Sequence, residues 1–502
     1  MSGLYQRSNV RRMRHARRTL TTLGVVAATA AAMTMPTIGA AAAGPASAPA
    51  ASGGQAAVGP LLSYVVNTRA NHGQVQKAER EIADNGGTVV IAYEEIGVII
   101  ARSTDPAFGA HLRALKGIDS AGASRTAALA AEGDPVDVVS PDSAAATPAA
   151  LQANQWDMRA IGADRAHAVN EGSRSVVVGV LDSGIDATHP NLAPNIDAAD
   201  SVGCTAGGVP DTSYAAWQPT TSSHGTHVAG IIAAADNNTG VIGVAPNVRL
   251  AAVKVVDDGG FIYPEYAVCG FVWAGHHHFQ VTNNSYFVDP WLYNCTTDPD
   301  QAAIVDSVKR AVDFATNNGV LSFAAAGNEN QDLAHKTTDT TSPDDTTPVT
   351  RPITTSCLDI PAELPGVVSV SATGAFNARS YYSSFGQGKV EVAAPGGDRI
   401  YQIPDTPDQN GRVLSTLPGG TWGYAQGTSM ASPHATGVGA LLASTHPGAT
   451  PAQLRALLDA QADPLSCPAT EPDPGGSTCT GPAGNDSFYG HGLVDAYRAV
   501  TR

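Results

Sequence analysis

Charge is scarce in this 502-residue chain: Asp, Glu, Lys and Arg make up 15% of it, and aromatic residues only 6%. So little charge excludes a solvated, disordered polymer, while 43% apolar residues supply a large core. Lysine is scarcest, six of the 29 cationic residues. The formal charge is −16, and the first 43 residues hold six arginines and no acid, so the remainder stands at −22. A body that acidic repels phosphate, which excludes nucleic acid as the default partner. No Cys-x-x-Cys pair occurs among the six cysteines, which argues against a zinc or redox site built on them. Glycine (52) and proline (33) follow no period, so they mark loops and not a collagen-like fibre.

The N-terminus reads as an address. Arg7, Arg11, Arg12, Arg14, Arg17 and Arg18 precede the apolar stretch Leu20–Ala32, and Ala40–Ala43 offers small-x-small cleavage frames. That is the order of an export signal, removed before function. The stretch is shorter than the roughly 20 residues of a membrane span and is interrupted by Thr21, Thr22 and Gly24. A secreted protein without a membrane anchor is therefore expected. Arg17-Arg18 suits a twin-arginine route, but no Phe or Lys follows it, so both export routes stay open. In an oxidising space six cysteines (Cys204, Cys269, Cys295, Cys357, Cys467, Cys479) read as disulfides. They allow 15 pairings, of which Cys467–Cys479, bracketing a Pro/Gly-rich loop, is the first expected.

Residues 44–60 are rich in Ala, Pro, Gly and Ser. A compact pattern follows: an apolar strand at Leu61–Asn67, helical spacing over Gln74–Asn85, two strands in Thr88–Arg102 and a short helix at Ala107–Leu115. This predicts a small α+β, ferredoxin-like unit over about 61–118, within a segment 44–150 that ends in an Ala/Asp/Pro-rich linker. Beyond Gln155 the pattern changes. Ser175–Leu181, Leu250–Val256, Val320–Ala326, Val367–Ser371 and Val390–Ala394 are continuous apolar runs of the kind buried on both faces of a parallel sheet. Helical stretches at Thr226–Ala235, Ala302–Asn318 and Ser432–Ser444 lie between them. The expected fold for 151–502 is α/β, a doubly wound, mostly parallel sheet with helices on both faces.

Three of these elements end or begin in polar residues. Asp182 follows the Ser175 strand in Leu-Asp-Ser-Gly, His224 opens a helix in Ser-His-Gly-Thr-His-Val-Ala-Gly, and Ser429 opens another in Gly-Thr-Ser-Met-Ala-Ser-Pro-His. Ligands of open parallel sheets bind outside the carboxyl ends of the strands, where all three converge. Asp, His and Ser are the set that acyl transfer needs. A hydroxyl is a weak nucleophile until a base takes its proton, imidazole does so near neutrality, and a buried carboxylate fixes its tautomer. A serine at a helix start also gains the unpaired N–H groups and the positive end of the helix dipole. Pro433 is expected in the first turn, where its missing N–H matters little. Asn328, in Ala-Ala-Gly-Asn at the end of the Val320 strand, can donate to the same oxyanion. His224 and His227 stand three apart without the intervening Glu of a zinc helix. His189 and His434 read as packing or hydrogen-bonding residues, and His276–His278 as a solvated helix end.

These blocks, with Val-Ala-Ala-Pro-Gly at 392–396, resemble the subtilisin family of serine endopeptidases over about Gln155 to Val500. The order Asp182…His224…Ser429 is that family's. The resemblance implies that Asp182 is the orienting acid, His224 the general base, Ser429 the nucleophile and Asn328 the oxyanion donor. It implies substrate contacts at Ser285, Tyr286, Ala326 and Gly327. It also implies that the small unit is a pro-segment, a chaperone and intramolecular inhibitor later cut away within Glu132–Gln155. A monomer acting on peptides or proteins is expected, with no cofactor needed for the chemistry. Structural calcium fits the resemblance alone; no loop has EF-hand spacing and no metal ligands are assigned. One departure is local: Ser285-Tyr286-Phe287 stands where the family has Ser-Leu-Gly, which puts the peptide-pairing edge and the side-chain preference in question. A narrow processing role for one secreted peptide, or a catalytically silent scaffold, are the competing readings.

Overall fold

The computed structural model describes residues 59–129, 142–144, 148–469 and 473–502. The export segment and most of the stretch expected to hold the maturation site lie outside the described residues.

Residues 59–129 form a small α+β unit that extends past the expected bound at 118 and holds a fourth strand, at Ile118–Ala123, that was not among the expected elements. It runs β1 (Leu62–Thr68), α1 (His72–Asp84), β2 (Thr88–Tyr93), β3 (Val98–Ser103), α2 (Phe108–Arg113) and β4 (Ile118–Ala123). The strands form one antiparallel sheet in the order β2, β3, β1, β4. Helix α1 starts at Asn71, whose side chain accepts the Gln74 N–H, and buries Val75, Ala78 and Ile82 on one face. These pack with Tyr64, Val66, Ile99 and Phe108 into a core of their own. Because side chains alternate along a strand, Val65, Val98 and Ile100 point to the other face. There they join the core of the larger unit.

The larger unit is built on eight strands. They are β5 (Val177–Asp182), β6 (Val202–Ala206), β7 (Val209–Asp211), β8 (Arg249–Lys254), β9 (Val281–Asn284), β10 (Leu321–Ala325), β11 (Val367–Thr373) and β12 (Val392–Pro395). Their order is β12, β11, β10, β9, β5, β8, β6, β7, parallel except for the β6–β7 pair. All six residues of β5 are buried, as a strand covered on both faces requires. The chain leaves β5 for β8 on one side, then returns to β9 on the other. The strand order therefore reverses at β5, and the crevice this opens is where ligands of doubly wound sheets bind.

Helices cover both faces. On one lie α3 (His224–Ala233) and α6 (Thr428–Thr445); on the other lie α4 (Pro264–His276) and α5 (Pro299–Asn317). Helix α6 approaches the sheet closely because it is poor in bulk: a Cβ on Gly439 would lie 2.6 Å from the Phe323 ring, and one on Gly437 2.5 Å from Val244. Helices α4 and α5 also carry the small unit. Asn67 donates to the Ala303 carbonyl at 3.0 Å, Ser120 to Asp306 at 2.9 Å and Arg310 to Asp119 at 3.1 Å. At Gly122 the backbone rests so near α5 that a Cβ would meet Asp300 Cα at 2.5 Å.

The six cysteines pair as Cys204–Cys269, Cys295–Cys357 and the expected Cys467–Cys479. Cys204–Cys269 closes a 65-residue separation between β6 and α4 with both residues buried. Replacing both by serine is expected to cost about 2–4 kcal/mol, mainly by relaxing the unfolded chain. Denaturant midpoints of the purified protein check this.

Candidate active site

The site assembles at the reversal in the sheet. Asp182 ends β5 almost fully buried, and its Oδ1 accepts the Ser183 N–H at 2.7 Å. His224 is the first residue of α3, and its Nδ1 lies 2.9 and 3.0 Å from the two oxygens of Asp182. A glycine must follow it: a Cβ on Gly225 would lie 2.4 Å from the Gly184 carbonyl and 3.1 Å from Asp182 Oδ1. Burial pulls the His224 pKa down, but the charge and hydrogen bond of Asp182 outweigh it and leave it above the ordinary 6.5. The bond to Nδ1 leaves Nε2 as the ring nitrogen that Asp182 does not engage.

Ser429 is the second residue of α6, partly exposed, and its hydroxyl donates to the Ser285 carbonyl at 3.3 Å. The Ser285 hydroxyl in turn donates to the Ser429 carbonyl at 2.9 Å. That second bond follows from Pro433. The proline stands at the sixth helical position and not in the first turn as expected, so it withholds the N–H that Ser429's carbonyl would accept. Ser285 replaces the missing donor. Asn328, just past β10, has its amide oriented by α6: Oδ1 accepts the Thr428 N–H at 2.9 Å and the Thr428 hydroxyl at 3.0 Å. Its Nδ2 is thereby left to donate beside Ser429.

A cleft of about 300 Å³ holds Ser429, Asn328, Ser285, Tyr286 and Gly327 together. Ala326 is the exception among the expected residues. It is fully buried with its N–H on the Val370 carbonyl, and Ala325 borders the cleft in its place. Tyr286 is buried with its hydroxyl on Asn284 Oδ1 at 3.0 Å, so it walls the cleft with its ring. Two larger depressions, of about 460 and 630 Å³, contain none of the four motif residues. The sequence reading missed the acids in the cleft wall: Asp289, Glu329, Asp344 and Asp359. Glu329 had a signal in standing next to Asn328, and Asp344 in the acidic run of a Thr/Pro-rich insertion, though neither placed them in the cleft.

The other histidines are structural. His227 turns from His224 to the Gly423 carbonyl at 3.1 Å, and burial and the His224 charge lower its pKa to about 3. His434 bonds the Met430 carbonyl and Asp157, all buried. His189 bonds the Thr421 carbonyl at 2.9 Å. His276 and His277 meet Glu95 and Asp200 at the end of α4. The acidic stretch 339–345 does not form the six-to-eight-oxygen cage of calcium. Asp339 pairs with Arg351, Asp344 bonds Asp289, and Asp345 accepts the Thr126 and Ala127 N–H groups. Cys467, Cys479 and Asp486 have metal-like spacing, but the two sulfurs are joined in a disulfide.

Residues 173–492 match the Subtilase family. The chain belongs to this family, and is a serine endopeptidase. It is 33% identical to subtilisin E of Bacillus subtilis (strain 168) over 349 residues, 70% of this chain and 72% of that one. Fervidolysin of Fervidobacterium pennivorans superposes with a TM-score of 0.58 at 25% identity, over 88% of this chain and 61% of that one. The epidermin leader peptide processing serine protease of Staphylococcus aureus shares the fold, with a TM-score of 0.64 at 22% identity over 88% and 98% of the chains.

The Asp182–His224 pair stabilises the folded state most where the imidazole is protonated. Its contribution is full below pH 6.5 and is lost as pH rises through the raised pKa. A general base would have the opposite requirement, a neutral ring. Histidine NMR titration should place His224 above 6.5, and Asp182→Asn should bring it down; a value at or below 6.5 in the parent would contradict the coupling.

Proposed function

We propose that the protein is an exported, self-processing proenzyme that cleaves peptide bonds through an acyl-enzyme on Ser429. The observation that carries this is a cleft that holds Ser429 beside the oriented Asn328 amide, with the Asp182–His224 pair at the end of β5 and Ser429 bonded to Ser285 at the end of the neighbouring strand β9. His224 takes the Ser429 proton as oxygen attacks the scissile carbonyl. The oxyanion is met by Asn328 Nδ2 and the N–H groups at the start of α6. His224 then gives the proton to the leaving amine, and water repeats the attack on the ester. No cofactor is required for these steps. Export is supported by the basic N-terminus followed by an apolar stretch, and by the pairing of all six cysteines. Among the described residues no helix is long and apolar enough to cross a membrane.

The small unit serves as the pro-segment in this reading. Its support is the apolar sheet face laid on α4 and α5, and a buried anchor beyond β4. The Arg125 guanidinium lies 3.6 Å over the Tyr263 ring and donates to Glu265 Oε1 at 2.5 Å. Glu265 is completely buried, so it depends on that partner. The competing processing role is favoured by the acids in the cleft, which would restrict the side chains admitted.

Intact mass and N-terminal sequencing of the purified chain test the reading. The parent is expected to shed a segment ending within 116–155. Ser429→Ala should stay whole and lose turnover by on the order of 10⁶-fold; shedding by both would remove the self-processing claim. Arg125→Ala leaves Glu265 buried and unpaired, a loss of about 3 kcal/mol. Pro-segment release after cleavage should then be roughly 100-fold faster, read from the lag before full activity.

A further inference from the structure

We propose that the cleft beside Ser429 is a recognition site for a cationic side chain, and that the enzyme cleaves after arginine or lysine, with Asp359 as the specificity-determining residue. The inference rests on the reading of Ser429 as nucleophile and adds to it the substrate class.

Geometry places the side chain. An attacked carbonyl carbon must come within about 3 Å of Ser429 Oγ with its oxygen toward Asn328. The side chain of the same residue, P1, then enters the remaining cleft. Tyr286 and Ala325 offer apolar walls to the stem of a long side chain.

Charge decides what the end of that side chain is. Four of the lining residues are acidic and none is basic. Asp359 is 2% exposed, and its Oδ1 has no hydrogen-bond partner. The nearby cations do not serve it directly: Lys336 and Lys389 both pair with Glu363. Glu363 itself accepts the Asp359 backbone N–H at 2.8 Å, which holds the loop but leaves Asp359 Oδ1 without a hydrogen bond. Burial pushes the Asp359 carboxyl well up, and the charges of Glu363 and Glu329 push it further. Lys336 offsets this only in part, so the buried group is disfavoured as a carboxylate, and an entering guanidinium or ammonium would favour its ionised form.

A second carboxylate stands at the rim. A Cβ on Gly327 would lie 2.7 Å from Glu329 Oε2 and 3.4 Å from Asp359 Oδ2, so the two acids flank this one position. Gly327 has φ of +98°, where side chains are disfavoured, which keeps the space between them open. Planar guanidinium, with five donors, suits two carboxylates better than a point charge does. Asp289 and Asp344, also in the lining, share a hydrogen bond and with it a proton, so the pair brings at most one negative charge. These acids belong to none of the three-donor clusters with metal-like spacing among the described residues.

The test uses the matured full-length enzyme and peptides differing only at P1: arginine, lysine, citrulline or phenylalanine. Citrulline keeps the shape of arginine and removes its charge. Arginine is expected to exceed citrulline and phenylalanine by 100-fold or more in kcat/KM, with lysine between. Asp359→Asn should draw the arginine-to-citrulline ratio toward one. Parity of arginine and citrulline in the parent, or a phenylalanine preference, overturns the proposal without needing a variant. Labelling of Ser429 by a fluorophosphonate separates the two levels. Labelling with a flat P1 profile rejects the cationic site alone, whereas absence of both labelling and cleavage rejects the nucleophile assignment and this proposal with it.

Discussion

The reversal of strand order at β5 is the constraint from which the site follows. Because β8 and β9 lie on opposite sides of β5, the loops after these strands diverge and leave a crevice at their carboxyl ends. Asp182 emerges into it directly from β5, and Ser285 from β9, while Asn328 stands just past β10. The two helices that complete the set start there because they pack on the same face of the sheet, with α6 admitted by its glycines. Each polar side chain is held by a second one. Asp182 holds His224, Thr428 holds Asn328, and Ser285 and Ser429 hold each other in a ring of two hydrogen bonds.

That ring joins a helix defect to the chemistry. A proline inside α6 would ordinarily weaken the helix by removing one bond. Here the bond it removes belongs to Ser429's own carbonyl, and the vacancy is filled by Ser285, just past the strand that borders the cleft. The orientation of Ser429 is thus tied to β9 and does not rely on its own helix alone. The local rule is broken where function is concentrated, as strained or irregular positions often are.

Much of this was readable from the residues because the motifs are short, contiguous and placed at element ends. Asp182, His224, Ser429 and Asn328 each sit next to an apolar run whose period identifies the element. Four things escaped, the first being strand β4, whose apolar residues Ile118, Ala121 and Ala123 are separated by Asp119, Ser120 and Gly122. Helix α4 was not seen because 11 of its 13 residues are buried, so it has no polar stripe to set a period. Strand β9 was hidden by Thr282, Asn283 and Asn284. These polar residues occupy the middle of a buried sheet because Ser322, Ser432, Thr436 and the Phe323 carbonyl satisfy them. Asp359 lies in a loop 30 residues from Glu329, and only the folded chain brings the two carboxylates to the same glycine. Spacing rules report on neighbours along the chain; this pairing is made by neither a helix nor a strand.

The small unit's sheet has a further consequence. One face is covered by its own two helices, and the other, with Val65, Val98 and Ile100, is covered by the larger unit, including α4, α5 and the β6–β7 turn. A domain of this size buries a modest fraction of its surface even when complete. Taken off its seat, it would present an open apolar face to water and lose half the shell that keeps its strands dry. If the unit is the proposed pro-segment, the surface that makes the docked state firm would leave a released copy poorly folded and open to cleavage, and release would run one way.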